Sequence, residues 1–167
     1  MSADRAAGIL ARFTAAQTNL LTRLREMPPG AAQQAPDADH WSAAQIGCHV
    51  ALTNEWIAKI ITGATAMAEP APANFQETFA GRNAPGMVKA FPTLQPPDLV
   101  GRDAALERLR VSGQHMCKAI ASLSPERGSG FVVNLPFGTL SLFELADYTA
   151  GHVGRHASSV GRSVVRA

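Results

Sequence analysis

Cysteine is scarce in this chain: Cys48 and Cys117 are the two in 167 residues, and no CxxC pair occurs. That excludes a disulfide framework and leaves a reducing cytoplasm as the expected compartment. Long apolar runs are missing too. None approaches the roughly 18 residues that a membrane span needs. The opening Met1-Ser2-Ala3-Asp4-Arg5 leads into a mixed polar and apolar segment, unlike a signal peptide. Charge of one sign is never concentrated. Fifteen basic and 13 acidic residues give a net charge of +2, without a run of five like charges. Neither a nucleic-acid nor a membrane partner is therefore expected. Lysine is rare beside arginine, 3 against 12, which reads as codon usage before function.

Several chemical signatures are also absent. Without H-E-x-x-H the chain is not a zincin, and without Glu-x-x-His pairs it is not a ferritin-like di-iron bundle. There is no Gly-rich phosphate loop and no G-x-S-x-G. What remains is 46% apolar and 17% charged, the balance of a globular chain long enough to bury a core. One domain over residues 1–167 is expected.

Apolar periodicity predicts four long helices. Over residues 4–27, Ile9, Leu10, Phe13, Leu20, Leu21, Leu24 and Met27 recur at spacings of three and four, until Pro28-Pro29-Gly30 stops them. A polar, Ala/Gln-rich connection follows. The second helix opens at Ser42, where Ser42-Ala43-Ala44-Gln45 fits a capping box. It carries Ile46, His49, Val50, Thr53, Trp56, Ile57 and Ile60 on one stripe, and Gly63 is its expected end. Between Gly63 and about Val100 lie six of the 11 prolines, so no continuous helix can form there. Phe75, Phe79, Met87, Val88 and Phe91 should pin this crossover to the body. Its length suits a connection between parallel neighbours. The third helix, about 101–123, keeps a three-four repeat through Leu106, Leu109, Gly113, Met116, Ile120 and Leu123, until Ser124-Pro125 breaks it. Residues 126–140 read as a loop with one extended piece at Phe131-Val132-Val133. The fourth helix starts on another capping box, Ser141-Leu142-Phe143-Glu144, and runs to about Val164. The architecture expected is an all-α four-helix bundle.

Within that scaffold, His152 and His156 stand four residues apart. On a helix this step turns about 40° and rises about 6 Å, so both imidazoles leave one face, as in many metal sites. His49 on the second helix could complete an open three-histidine site. Each of the three could equally be a packed core residue, His49 above all, since it sits in an apolar stripe.

The order of these features resembles the DinB-like superfamily, and its DinB_2 branch most. The resemblance rests on Trp41-Ser42 ahead of His49, the Pro-rich crossover, Phe137-Gly138-Thr139-Leu140-Ser141, and His152-x3-His156. It spans nearly the whole chain. It implies up-down-down-up topology, a homodimer, and a divalent metal ion held by His49, His152 and His156, with Zn or Ni the first candidates. Three imidazoles would leave coordination positions open, as catalytic sites do, whereas structural zinc is usually closed by four protein ligands. Such an ion could activate water or a thiol. The resemblance therefore implies a metal-dependent enzyme, either a thiol-dependent transferase or a hydrolase, acting on a small-molecule substrate. The alternative is a non-catalytic bundle that binds a metal or a small ligand.

Secondary candidates follow from helical spacing. Tyr148 lies one turn before His152 and is the single catalytic candidate, although bundle packing is its simpler role. Thr53 and Gln45 could line a pocket at one-turn spacing from His49. Glu55 and Cys48 lie off the His49 face, Glu144 is the cap partner, and Asp147 is expected to be solvated. Arg155 adjoins the site and could meet an anionic substrate, with surface charge the simpler reading. Trp41 and Trp56 look like core. His40 and His115 match no ligand position, and His115 is expected to be partly exposed.

Overall fold

The computed structural model of the chain describes residues 2–78 and 90–164. Among these residues the protein is mostly helical, and the four long helices lie where periodicity put them. They are α1 (Ser2–Glu26), α3 (Ala43–Thr62), α4 (Arg102–Ala121) and α6 (Leu142–Val164). Two short helices, α2 (Pro29–Gln33) and α5 (Pro125–Gly130), punctuate the connections. The apolar stripes face inward. In α1, Ile9, Phe13, Leu20 and Leu24 are all buried, and in α6 so are Leu145, Thr149, Val153 and Val160. α3 lies chiefly against α4, and α1 against α6. α1–α4 and α3–α6 contacts complete the circuit, so each long helix has two principal neighbours around one core. Each fully buried Leu, Ile or Phe contributes about 1.5–3 kcal/mol relative to exposure, far more than local helix propensity.

Both expected capping boxes are present. The Ser42 amide donates to Gln45 Oε1 at 2.9 Å, and the Gln45 amide donates to Ser42 Oγ at 3.2 Å. The Ser141 amide donates to Glu144 Oε2 at 3.0 Å, and the Glu144 amide donates to Ser141 Oγ at 3.1 Å. Each satisfies two otherwise free donors at a helix start. These two starts begin the two helices that carry His49, His152 and His156. α3 ends on Gly63 at φ 80°, the left-handed conformation a side chain would strain.

The expectation of an all-α chain needs one correction: a small antiparallel sheet of order β1-β2-β3. β2 (Phe131–Leu135) and β3 (Gly138–Ser141) form a hairpin from Val132↔Ser141 to Leu135↔Gly138, closed by Pro136-Phe137. β1 (Glu69–Pro70) pairs with β2 from within the crossover, Glu69 opposite Val132. The stretch expected to be a loop with one extended piece is thus a hairpin. Its β-branched pair Val132 and Val133 is buried. Ser124-Pro125 ends α4 as expected and also starts α5. Ser124 Oγ accepts from the Arg127 amide at 3.1 Å, and proline suits the first helical position.

The crossover packs along the body, as its apolar residues suggested. Leu94 is buried, and the Phe91 ring lies 5.6 Å from Trp56. Glu77 ties two long helices together. It accepts from Arg5 of α1 at 2.7 Å and from Ser141 Oγ, at the start of α6, at 2.5 Å. The expected anchors Phe79, Met87 and Val88, with Pro85, lie outside the described residues.

Candidate metal centre

α3 and α6 bring His49, His152 and His156 together. His152 Nε2 is 3.2 Å from His49 Nε2 and 3.2 Å from His156 Nε2. The ring centroids lie 4.5–5.1 Å apart, with each pair edge-on. All three offer a nitrogen to one small volume, and among the described residues no cysteine or carboxylate joins them. His49 and His152 are buried, and His156 is half-buried.

Hydrogen-bond chemistry tests whether these rings fit a cation. His49 Nδ1 lies 2.7 Å from the Leu94 carbonyl, which can only accept, so Nδ1 holds the proton and Nε2 presents a lone pair. His152 Nε2 can give a hydrogen to one neighbour at most. If neutral His156 also presents Nε2, at least two lone pairs face each other across this volume. A cation at the centre removes that conflict. Nitrogens bound at about 2.0–2.1 Å to one tetrahedral ion lie about 3.3–3.4 Å apart, close to the observed spacing. His152 Nδ1 is buried without a hydrogen-bond partner among the described residues. An unsatisfied buried polar atom costs about 1–3 kcal/mol. The cluster fits a divalent ion better than it fits a core.

Electrostatics keeps the imidazoles in the form a metal requires. Burial is the main cause throughout. It lowers His49, where the Leu94 hydrogen bond partly opposes it. It drives His152 well below the usual histidine range, helped by His156, His49 and Arg155. It brings His156 down to about 3, helped by His49 and Arg155. Neutral imidazole is the metal-binding form, so these rings are ligand-ready at neutral pH.

Aromatic side chains wall the cluster. Trp41, just ahead of the α3 cap, lies 4.8 Å from His49 between ring centroids. Tyr148 stacks on His152 at 5.9 Å and meets Phe137 of the hairpin turn at 5.1 Å. Burial raises the Tyr148 hydroxyl, with Arg155 opposing. Trp41 is therefore half-buried beside the site and not simply core.

The other candidates separate from the cluster. Thr53 Oγ1 donates to the His49 carbonyl of its own helix at 3.0 Å, and so does not line a pocket. Gln45 completes the cap and donates to the Pro97 and Asp98 carbonyls at 3.1 and 3.2 Å, fastening the end of the crossover. Cys48 is buried with Arg108 3.6 Å from its sulfur. Glu55 pairs with a half-exposed His115 at 2.6 Å, and His40 pairs with Asp37. Asp147 is not solvated as expected. Its side chain is 10% exposed and accepts from Arg12 of α1 at 2.6 Å, because α1 lies along that face of α6. Three neighbours of the site were not anticipated in their roles: the Leu94 carbonyl, Phe137, and Trp41 as a partner of His49. Trp41 and Phe137 left a signal, each by its place in a motif that carries the resemblance, and the Leu94 carbonyl left none.

A family model described as the DinB superfamily matches residues 12–160, about nine tenths of the chain. No curated protein and no solved structure matches it.

Proposed function

The chain belongs to the DinB superfamily, and from that premise we propose that His49, His152 and His156 bind one divalent metal ion, Zn or Ni first, in a metal-dependent enzyme. The observation that carries this reading is the convergence of three Nε2 atoms from two helices, 3.2 Å apart across His152. A bound ion would supply a Lewis acid with open positions, able to lower the pKa of a thiol or a water. The chain's own groups do the rest. The Leu94 carbonyl holds the His49 tautomer, as second-shell acceptors do for metal-bound imidazoles. Trp41, Phe137 and Tyr148 wall the cluster, and Tyr148 brings a protic hydroxyl on a ring stacked against His152.

Thiol transfer is favoured over hydrolysis within this reading. Water attack benefits from a nearby general base, yet the carboxylates of α6 are engaged elsewhere, Glu144 at its own cap and Asp147 with Arg12. A thiol needs only coordination to become a nucleophile. The up-down-down-up order of the four long helices and assembly as a homodimer belong to the same proposal. A non-catalytic metal-binding role is the second reading, and the absence of a carboxylate base from the described cluster is what favours it.

The test is metal content of untagged protein, wild type beside His152→Ala. About one divalent ion per chain, lost in the variant, is the expected result. A wild type that takes up neither Zn nor Ni would overturn the metal site. If metal is present, turnover of a thiol with an electrophile separates the enzyme from the non-catalytic bundle.

A further inference from the structure

Among the described residues, one charged group beside the cluster has no counter-charge. Arg155 stands three residues after His152 and seven after Tyr148, so the three share a face of α6. Its guanidinium lies 5.6 Å from the centroid of the Tyr148 ring, which itself stacks on His152. The residue is half-buried, and among the described residues it forms no ion pair. Other arginines are differently placed. Arg5 meets Glu77, Arg12 meets Asp147, and Arg127 donates to the Ile60 and Ile61 carbonyls. The two carboxylates of α6 that could have turned to Arg155 are held at the cap and on α1.

This placement is unfavourable for a metal site taken alone. A fixed positive charge near three neutral imidazoles repels a divalent cation, and the cost grows as the surroundings dry out. A surface arginine kept for solubility could sit anywhere on the exposed face of α6. One laid over the aromatic wall of the cluster makes sense if it acts on something that arrives there. Guanidinium is the group best suited to a carboxylate, through two parallel hydrogen bonds.

Building on the three-histidine reading, we propose that Arg155 recognises an anionic group of the substrate, so that the substrate is a carboxylate-bearing small molecule whose reactive end faces His49, His152 and His156. Tyr148 holds the guanidinium in place by stacking and forms the floor between the two ends of that molecule. The arrangement selects acids over neutral analogues of the same length.

Probes that differ only in that charge test it. Protein loaded with Co(II) in place of Zn is titrated with mercaptoacetate, 3-mercaptopropionate and 4-mercaptobutyrate. Each acid is compared with the thiol alcohol of equal length, and binding is followed by the visible spectrum of the ion. The expected result is a preference for the acid of about tenfold or more at one chain length. That preference should collapse in Arg155→Gln and survive in part in Arg155→Lys, with metal content retained in both. Equal affinity for acid and alcohol at every length, including no binding of either, overturns the proposal. So does a preference that persists in Arg155→Gln, or a loss of metal in that variant, which would make Arg155 structural. A wild type that holds no ion sinks the metal reading itself and this one with it.

Discussion

Acid should destabilise the metal-free protein through the same histidines that would hold the ion, and His156 allows the size to be worked out. Its folded value lies at about 3, against 6.5 for an ordinary histidine, because burial opposes the charged ring. Between these values the unfolded chain binds a proton that the folded chain refuses, so stability falls as pH falls. Above about pH 6.5 both states are neutral and the contribution is flat. Carried from pH 7 to pH 5, this one ring costs about 2 kcal/mol. For a chain of this length that corresponds to a fall in Tm of about 4–8 °C. His49 and His152 act in the same direction. The assay is thermal unfolding after chelation, at pH 7 and pH 5, of wild type and His156→Gln, whose amide does not titrate. The variant should lose less Tm between the two pH values by about that amount. An identical loss in the two proteins would refute the reasoning, since it would mean that His156 is solvated or already charged in the fold.

Further perturbations probe the scaffold and the ligands separately. His152→Ala removes the ring central to both short nitrogen contacts, and should abolish metal uptake measured by elemental content. Gly128→Ala would drive a methyl group into the Phe143 ring, which is buried and cannot swing away; a loss of about 1–3 kcal/mol in chemical denaturation is expected, with metal content retained. Ser42→Ala deletes the cap of α3 and should cost about 1 kcal/mol in the same assay. Arg155→Gln should retain the metal and lose the preference for acids.

The long helices were legible because their signals are local. Ile9, Phe13, Leu20 and Leu24 declare one face of α1 by spacing alone, and all four are buried. Ser42 with Gln45, and Ser141 with Glu144, announce two helix starts within four residues each. The sheet was not legible for the opposite reason. β1 is two residues long and pairs with β2 about sixty positions away, at Glu69↔Val132. Neither Glu69 nor Pro70 has a strand-like composition, so only the finished fold makes them a strand. The Pro136-Phe137 turn was likewise masked by glycines and prolines that suit a loop equally well.

The site divides along the same line, and the division bears on how it could work. His152 and His156 are readable from one helix, and His49 from its register on another. What organises them comes from elsewhere in the chain. The Leu94 carbonyl reaches His49 from the Pro92–Leu94 turn of the crossover, a backbone contact that no side-chain pattern encodes. Phe137 reaches Tyr148 from the hairpin. The crossover is itself fastened near the bundle at both sides of this region, by Glu77 to Arg5 and Ser141, and by Gln45 to Pro97 and Asp98. The helices therefore supply the nitrogen donors, while the segments between them set one imidazole tautomer and wall the cluster. On the metal-dependent reading proposed above, change in those segments would alter which molecules reach the ion without replacing any of the three histidines, so that the bundle would carry the chemistry and its connections the selectivity.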